Sequence, residues 1–499
     1  MNHPGEVSIR ERVKEPPSPA LMASYYAPAL ARALDQHFHL ENWVHLAHAR
    51  MLAARGIIAP GDARAIVDAI LAIDAAGAAA LPTDGTAEDL YSYFERALIA
   101  RLGPAIGGRL HTGRSRNDLH VTTWRMTLRG KMLGVLAALA EFRAAVLDQA
   151  AAQAATVMPG YTHWQHAQPI TLGYYLLAFA DGLARDHARC AAALAHTDLC
   201  PLGAGALATT AFPLDRTMVA AALGFPALVE NAYDAVANRD DAAEQAGALA
   251  ILMTGISRLA VDLQAWSTFE YGFIELADRH SAVSSIMPQK KNPSVLEHAK
   301  AQAAMVTGWL GATLACAKNT AFADVSDGVT ALNDPVVQAL DATRRVLVLM
   351  AETVAALRVR PARMADFAAR GFGTATELAD VIVRETGLSF RMAHNIVAVV
   401  VAEAIEAGRS AETITAAALI AAGETLFGQR LALDPAVIAA ALDPAETIRR
   451  RAVTGGPAPA SMAAMLATRQ TALAEDRAGA AAYAARLEAA RAAAFSPGL

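Results

Sequence analysis

Three short stretches of this 499-residue chain concentrate side chains able to do chemistry: GGRLHTGRSRND at 107–118, GYTHWQHAQPIT at 160–171 and SSIMPQKKNP at 284–293. The last is the densest. Asn292 followed by Pro293 has the form of a helix N-cap and first helical residue, leading into SVLEHAKAQAAMV, so the residues before it are expected to form a loop. Free backbone N–H groups at that helix start, together with Lys290, suit an anion. Ser284 and Ser285 flank the loop as candidate nucleophile or base, roles a serine hydroxyl takes only among positive charge and donors. In the first stretch Arg114, Arg116 and Asn117 precede a helix expected from near Leu119, an arrangement fit for bidentate carboxylate recognition. The second supplies Thr162 and His163. Glu297, five residues past Asn292, is placed to orient a histidine brought from elsewhere in the fold. Each stretch alone also reads as a polar interhelical loop, and His163 as a structural histidine; three stretches of one anion-binding character point to a site.

The elements that must position these residues are helical. Hydrophobic residues make up 54% of the chain and aromatics only 6%, with alanine dominant, a composition of closely packed helices rather than of β-branched sheet. HLAHARMLAARGIIAPGDARAIVDAIL reads as two helices broken at Gly56, with Pro60 opening the second. Met132, Val135, Leu139, Phe142 and Val146 recur at steps of three and four, as do Leu249, Leu252, Ile256, Leu259 and Leu263, the stripes of long helices in a bundle. The expected organisation is all-α: a flexible arm to about residue 20, an N-terminal helical domain over 21–118, a central bundle over 119–365, and shorter helices punctuated by Gly371, Gly373, Gly387, Gly455 and Gly456 over 366–499. Apolar faces this extended predict an oligomer.

Other classes are disfavoured. A formal charge of -5 without long basic runs argues against nucleic acid, and no uninterrupted apolar run of about 20 residues predicts a membrane span. The polar, proline-rich start MNHPGEVSIRERVKEPPSP is unlike a signal peptide, so a cytoplasmic protein is expected. Cys190, Cys200 and Cys316 lack metal or redox spacing and read as reduced thiols. His37, His39, His45 and His48 fall within twelve residues; they read as structural or substrate-contacting histidines rather than a metal site, which usually adds carboxylates or thiols. No glycine-rich phosphate fingerprint is present, and neither cofactor nor metal is predicted.

SSIMPQKKNP resembles the signature of the fumarase/aspartase superfamily, and HTGRSRND with GYTH.Q.AQP resembles its argininosuccinate lyase branch. The likeness continues through HARMLAARGII, PLGAGALATTAFPLDR, GFGTATELADVIV and GGPAP. It implies a three-domain, all-helical subunit that tetramerises through the central bundle, with each active site assembled from three subunits. The implied reaction is β-elimination of fumarate and an amine from an N-substituted aspartate. By position in the motifs, Ser284 corresponds to the base, and Lys290, Asn292 and loop amides to the donors for the charge that develops on the β-carboxylate. His163, paired with Glu297, corresponds to the histidine near the leaving group. Ser115, Asn117 and Thr162, with Arg116, correspond to contacts with the carboxylates of the part that becomes fumarate.

The match lapses on the amine side. Members that cleave argininosuccinate carry a Tyr-Asn-x-Asp-Leu-Gln-Glu-Asp-Lys stretch downstream of the serine, where this chain has KNTAFADVSDGVTALND at 318–334. His45 stands in place of a substrate-contacting serine, and Glu88, Asp89, Leu90 and Tyr91 in place of EDIH. The expectation is unchanged chemistry on a changed amine, as in the lyases of this branch that act on ethylenediamine-disuccinate. Argininosuccinate itself is the alternative; an inactive scaffold like the lens crystallins of this family is another.

Overall fold

The structure, a computed structural model, describes residues 15–318 and 320–498, without the side chains of residues 327–330. Of the expected arm, residues 1–14 lie outside the described residues; a helix starts at Pro19, capped by the Ser18 side chain, and continues to Gln36 through one π turn at Met22–Tyr26.

The first helices follow the turn chemistry of the sequence. Helices α1 (Phe38–Ala54) and α2 (Pro60–Ala76) part at Gly56, whose φ of 66° is one that a residue with a Cβ rarely adopts. Asp89 caps α3 (Leu90–Leu102) by accepting from the Ser92 amide at 2.8 Å. Leu46, Leu52, Ile66, Ile70, Phe94 and Leu98 bury a core here that also takes in Cys200, Leu202, Leu223 and Ala494 from far along the chain.

Five long helices form the centre: α4 (Arg116–Ala152), α5 (Leu172–Thr197), α6 (Asp240–Trp266), α7 (Ser294–Ala317) and α8 (Ser326–Ala355). They pack as a closed ring in the order α5–α4–α8–α7–α6 and back to α5. Both stripes read from the sequence point into it, from Met132 to Val146 and from Leu249 to Leu263; full burial of each such side chain contributes about 1.5–3 kcal/mol. Helix α6 is long and apolar enough to cross a membrane, but its buried face belongs to this ring. Cys190 and Cys200 are buried and free, and burial pushes both thiols up to about 12.

Beyond residue 360 short helices enclose a separate core of Leu378, Ile382, Ile396, Val397, Leu419 and Ile438. The expectation of shorter helices to the end does not hold, because α9 (Pro459–Ala494) runs for 36 residues. Its alanine-rich sequence has high helix propensity, and it returns along α4, α5 and α1. The tail after it is held by Arg50 of α1, whose guanidinium donates to the carbonyl oxygens of Ala494, Ser496 (2.6 Å) and Gly498 (3.1 Å).

Within this mostly α fold, the connection between α4 and α5 is an antiparallel hairpin, β1 (Val157–Thr162) with β2 (Gln165–Thr171). A purely helical reading misses it. Pro159 and Pro169 exclude helix in this segment, and the two face each other across the ladder.

Candidate active site

The first polar stretch is organised by a cap. Helix α4 begins at Arg116 rather than near Leu119, because Ser115 and Asp118 form a capping box: the Ser115 hydroxyl accepts from the Asn117 amide at 3.2 Å, and the Ser115 amide donates to Asp118 Oδ1 at 3.0 Å. Asp118 is fully buried, and its other oxygen accepts from the amides of Gly203 (3.0 Å) and Gly205 (2.9 Å). Burial pushes this carboxyl up to about 6, against the pull of those amides. Asn117 Nδ2 adds a bond to the Ala206 carbonyl at 3.3 Å. The PLGAGALATT segment is thereby pinned to the first turn of α4. Asp118, which organises this turn, is not among the residues singled out from sequence; the Ser-x-x-Asp spacing was its signal.

The two arginines here separate. Arg116 Nη1 meets Asp89 Oδ2 at 2.9 Å and Glu88 Oε2 at 3.2 Å, with 39% of its side chain exposed. Arg114 turns inward, donates from Nη1 to His45 Nδ1 at 3.0 Å and stands 5.4 Å from the centre of the Tyr91 ring. His45, expected to contact substrate, is fully buried. It lies on the face of α1 packed against Phe94 at 4.2 Å, and burial together with Arg114 holds its ring neutral, well below the ordinary histidine range. In this chain its partner is Arg114. His48 reaches the Thr112 carbonyl (3.0 Å), His39 reaches Asp74 (2.8 Å), and His37 packs edge-on to Trp124. Four neighbouring histidines thus take four different partners.

The second stretch is the tip of the hairpin. Thr162 pairs with Gln165, leaving His163 and Trp164 as the two turn residues with φ of 53° and 61°. Turns of this hand are usually made by Asn-Gly or Gly-Gly. His163 is exposed, and it lines a cavity of about 300 Å³ with Tyr161, Trp164, Tyr175, Asp262 and Tyr271.

The third stretch is a loop between two short strands. Ala282–Val283 pairs antiparallel with Lys291–Asn292. Asn292 is therefore held in a ladder and does not cap the helix, which starts at Ser294 after Pro293 with no side-chain cap. Ser284 Oγ accepts from the amides of Met287 (3.0 Å) and Ile286 (3.4 Å), donors that favour negative charge on that oxygen. Lys291 is paired with Glu275 (2.9 Å) and Asp278 (2.6 Å). Lys290 lines a cavity of about 1060 Å³ with Gln289, Asn292 and Glu297.

One chain thus brings Lys290, Asn292 and Glu297 together, with Ser284 on the same loop. His163 lines the smaller cavity beside Tyr161 and Trp164, and none of Thr162, His163, Ser115, Arg116 and Asn117 lines the cavity that holds Lys290 and Glu297. In the divergent 318–334 segment, Phe322 stacks on Tyr233 at 5.8 Å, and Asp324 lies 4.0 Å from Arg239. Asn319 and the side chains of 327–330 lie outside the described residues.

Residues 22–308 match the lyase family model, and residues 372–449 match the model for the argininosuccinate lyase C-terminal region. Argininosuccinate lyase 1 of Shouchella clausii (strain KSM-K16) is 37% identical over 465 residues, 93% of each chain. The chain belongs to the argininosuccinate lyase branch of the fumarase/aspartase superfamily. The argininosuccinate lyase of Methanoculleus marisnigri (strain ATCC 35101 / DSM 1498 / JR1) is 42% identical over 436 residues, 87% of each chain. Among solved structures, an EDDS lyase in complex with formate superposes with a TM-score of 0.85 at 34% identity, covering 97% of this chain and 95% of that one. An EDDS lyase variant with bound fumarate gives the same score and identity over 98% and 97%. This member is a carbon–nitrogen lyase that releases fumarate.

Proposed function

We propose that this lyase cleaves an N-substituted L-aspartate whose amine is not arginine, an aminopolycarboxylate such as ethylenediamine-disuccinate, in a cytoplasmic homotetramer whose sites each draw on three subunits. The observation that supports the shared site is that the cavity holding Lys290, Asn292 and Glu297 takes no lining residue from the other two polar stretches, since reacting groups must stand about 3 Å from the atoms they act on. Apolar residues left exposed on the ring helices, Ile251 (51%), Met305 (50%) and Leu314 (51%), supply faces for the assembly. The reading keeps the division at 21–118, 119–365 and 366–499, with α9 returned to the bundle.

In the reaction Ser284 Oγ, made more acidic by the amides of Met287 and Ile286, acts as the alkoxide and takes the proton from Cβ. The electron pair flows into the adjacent carboxylate, where Lys290 and Asn292 meet the added charge. That pair then returns to form the double bond of fumarate as the C–N bond breaks. His163 of another subunit, oriented by Glu297, stands at the leaving nitrogen. Ser115, Asn117 and Thr162 hold carboxylates, and Arg116 joins them through the edge of its guanidinium away from Glu88 and Asp89.

The changed amine rests on the 318–334 segment, in which the Tyr-Asn-x-Asp-Leu-Gln-Glu-Asp-Lys pattern expected for the arginine portion is not recognisable, and whose Phe322 is stacked on Tyr233. The likeness to relatives named argininosuccinate lyase at 37% and 42% identity favours the second reading, argininosuccinate itself. A fumarate absorbance assay comparing kcat/KM for ethylenediamine-disuccinate and argininosuccinate on one preparation decides between them. Missing hydrogen bonds to the arginine portion discriminate by orders of magnitude when their partners are buried, so ethylenediamine-disuccinate should win. A lead of about tenfold or more for argininosuccinate overturns the reading, because it would require the arginine contacts that this segment lacks.

A further inference from the structure

An isolated two-stranded hairpin is marginal in water, and each non-glycine residue held at positive φ is strained. The turn at His163 and Trp164 has two such residues, and Trp164 is 59% exposed. Its geometry must be imposed from outside the turn. Beside the tip, strand β2 lies against a short 3₁₀ turn, Phe372–Thr374, that follows Gly371. A Cβ on Gly371 would stand 2.2 Å from His166 Nδ1, and one on Gly373 would stand 2.3 Å from the Ala167 carbonyl oxygen. Gly371 has an ordinary extended backbone, φ -69° and ψ 154°, so close approach, not conformation, demands glycine there. Two further bonds tie the hairpin region to the C-terminal part of the chain: Arg451 Nη1 donates to the Pro169 carbonyl at 3.3 Å, and the Tyr174 hydroxyl at the start of α5 donates to the Gly455 carbonyl at 2.8 Å. The His166 ring is edge-on to Tyr161 at 5.2 Å and 6.1 Å from Phe367.

We propose that the Gly371–Phe372–Gly373 turn is the positioning element for the hairpin that presents Thr162 and His163. Only the roles of Thr162 and His163 in this statement rest on the proposed function. The two glycines differ in a way that can be tested. Gly371 faces a side chain, which can be removed; Gly373 faces backbone, which cannot.

The experiment uses the full-length enzyme as Gly371→Ala, Gly373→Ala, His166→Ala and Gly371→Ala/His166→Ala variants, with kcat, KM, oligomer size and Tm measured for each. A displacement near 1 Å at reacting groups costs about 100-fold. Gly373→Ala should lose kcat/KM on that scale while oligomer size is kept. Gly371→Ala should lose less, and adding His166→Ala should return it to within about threefold of His166→Ala alone, a rescue that general loss of stability would not show. Wild-type kcat/KM in Gly373→Ala, or no rescue of Gly371→Ala, overturns the proposal. If Gly373→Ala does not fold, the Gly371–His166 pair decides alone. Mixed oligomers add a second readout: Gly373→Ala should regain activity with Ser284→Ala subunits but not with His163→Asn subunits. Regain in both mixtures, or in neither while Ser284→Ala and His163→Asn complement each other, also refutes positioning. Failure of that control pair counts against the shared site instead, and leaves the rescue result to judge the glycines.

Discussion

Replacing Asp118 by alanine tests whether the first polar stretch and the PLGAGALATT segment form one unit. The carboxylate accepts three amides, from Ser115 (3.0 Å), Gly203 (3.0 Å) and Gly205 (2.9 Å). A hydrogen bond to a charged group is worth about 1.5–3 kcal/mol, and a buried amide left without a partner costs a similar amount. Each glycine amide should therefore exchange its hydrogen about 10–150-fold faster in Asp118→Ala, taking 1.4 kcal/mol as tenfold. Hydrogen exchange over residues 201–207, read beside turnover, is the assay. Turnover should fall with protection, since Asn117 is bonded to the Ala206 carbonyl at 3.3 Å within the same unit. The carboxyl also leaves a pH signature. Its pKa is raised from 3.8 to about 6, by burial first and against its amide partners. A raised acid contributes stability that is fully present below its unfolded value and is lost as pH rises through about 6. That slope, on the order of 3 kcal/mol between pH ~4 and ~6, should vanish in Asp118→Ala. Unchanged exchange at Gly203 and Gly205 would refute the reasoning whatever happens to activity.

Ser284→Ala should leave a folded oligomer with turnover down by at least about a thousandfold, because the proton acceptor is gone; near wild-type turnover would remove Ser284 from that role. Mixing inactive Ser284→Ala and His163→Asn subunits should restore part of the activity, as some reassembled sites receive both wild-type residues from different chains. Mixed oligomers that form but stay inactive would argue against the shared site.

What could be read in advance depended on how local the cause was. The bundle stripes from Met132 and from Leu249 needed only helical periodicity, and the break between α1 and α2 needed only Gly56 and Pro60. Other features arose from partners distant in sequence. Arg114 and His45 are 69 positions apart, and burial of the second followed from how α1 packs on α3. Asn292 looked like a cap because Asn-Pro before an apolar run usually is one, yet Ala282, ten residues earlier, draws it into a ladder. The hairpin at 157–171 was hidden by a composition that is helical almost everywhere else. Asp118 is the opposite case, a local signal present in the sequence, since Ser115 and Asp118 stand at capping-box spacing. The motifs singled out candidate side chains; that the cavity of Lys290 and Glu297 takes in none from the other two stretches became visible only in three dimensions.

The clasp between Arg50 and residues 494–498 bears on how the polypeptide matures during synthesis. Helices α1 to α3 leave the ribosome long before α9, but the core they share includes Ala494, with Ala490 and Phe495 packed against it. At typical translation speeds the roughly 390 residues between α3 and this closing segment take about 20–80 s to make. Throughout that interval the core of α1 to α3 has an apolar wall missing, which makes it a natural client for chaperones. A premature stop in the last codons of this stretch would therefore injure a part of the protein made long before it.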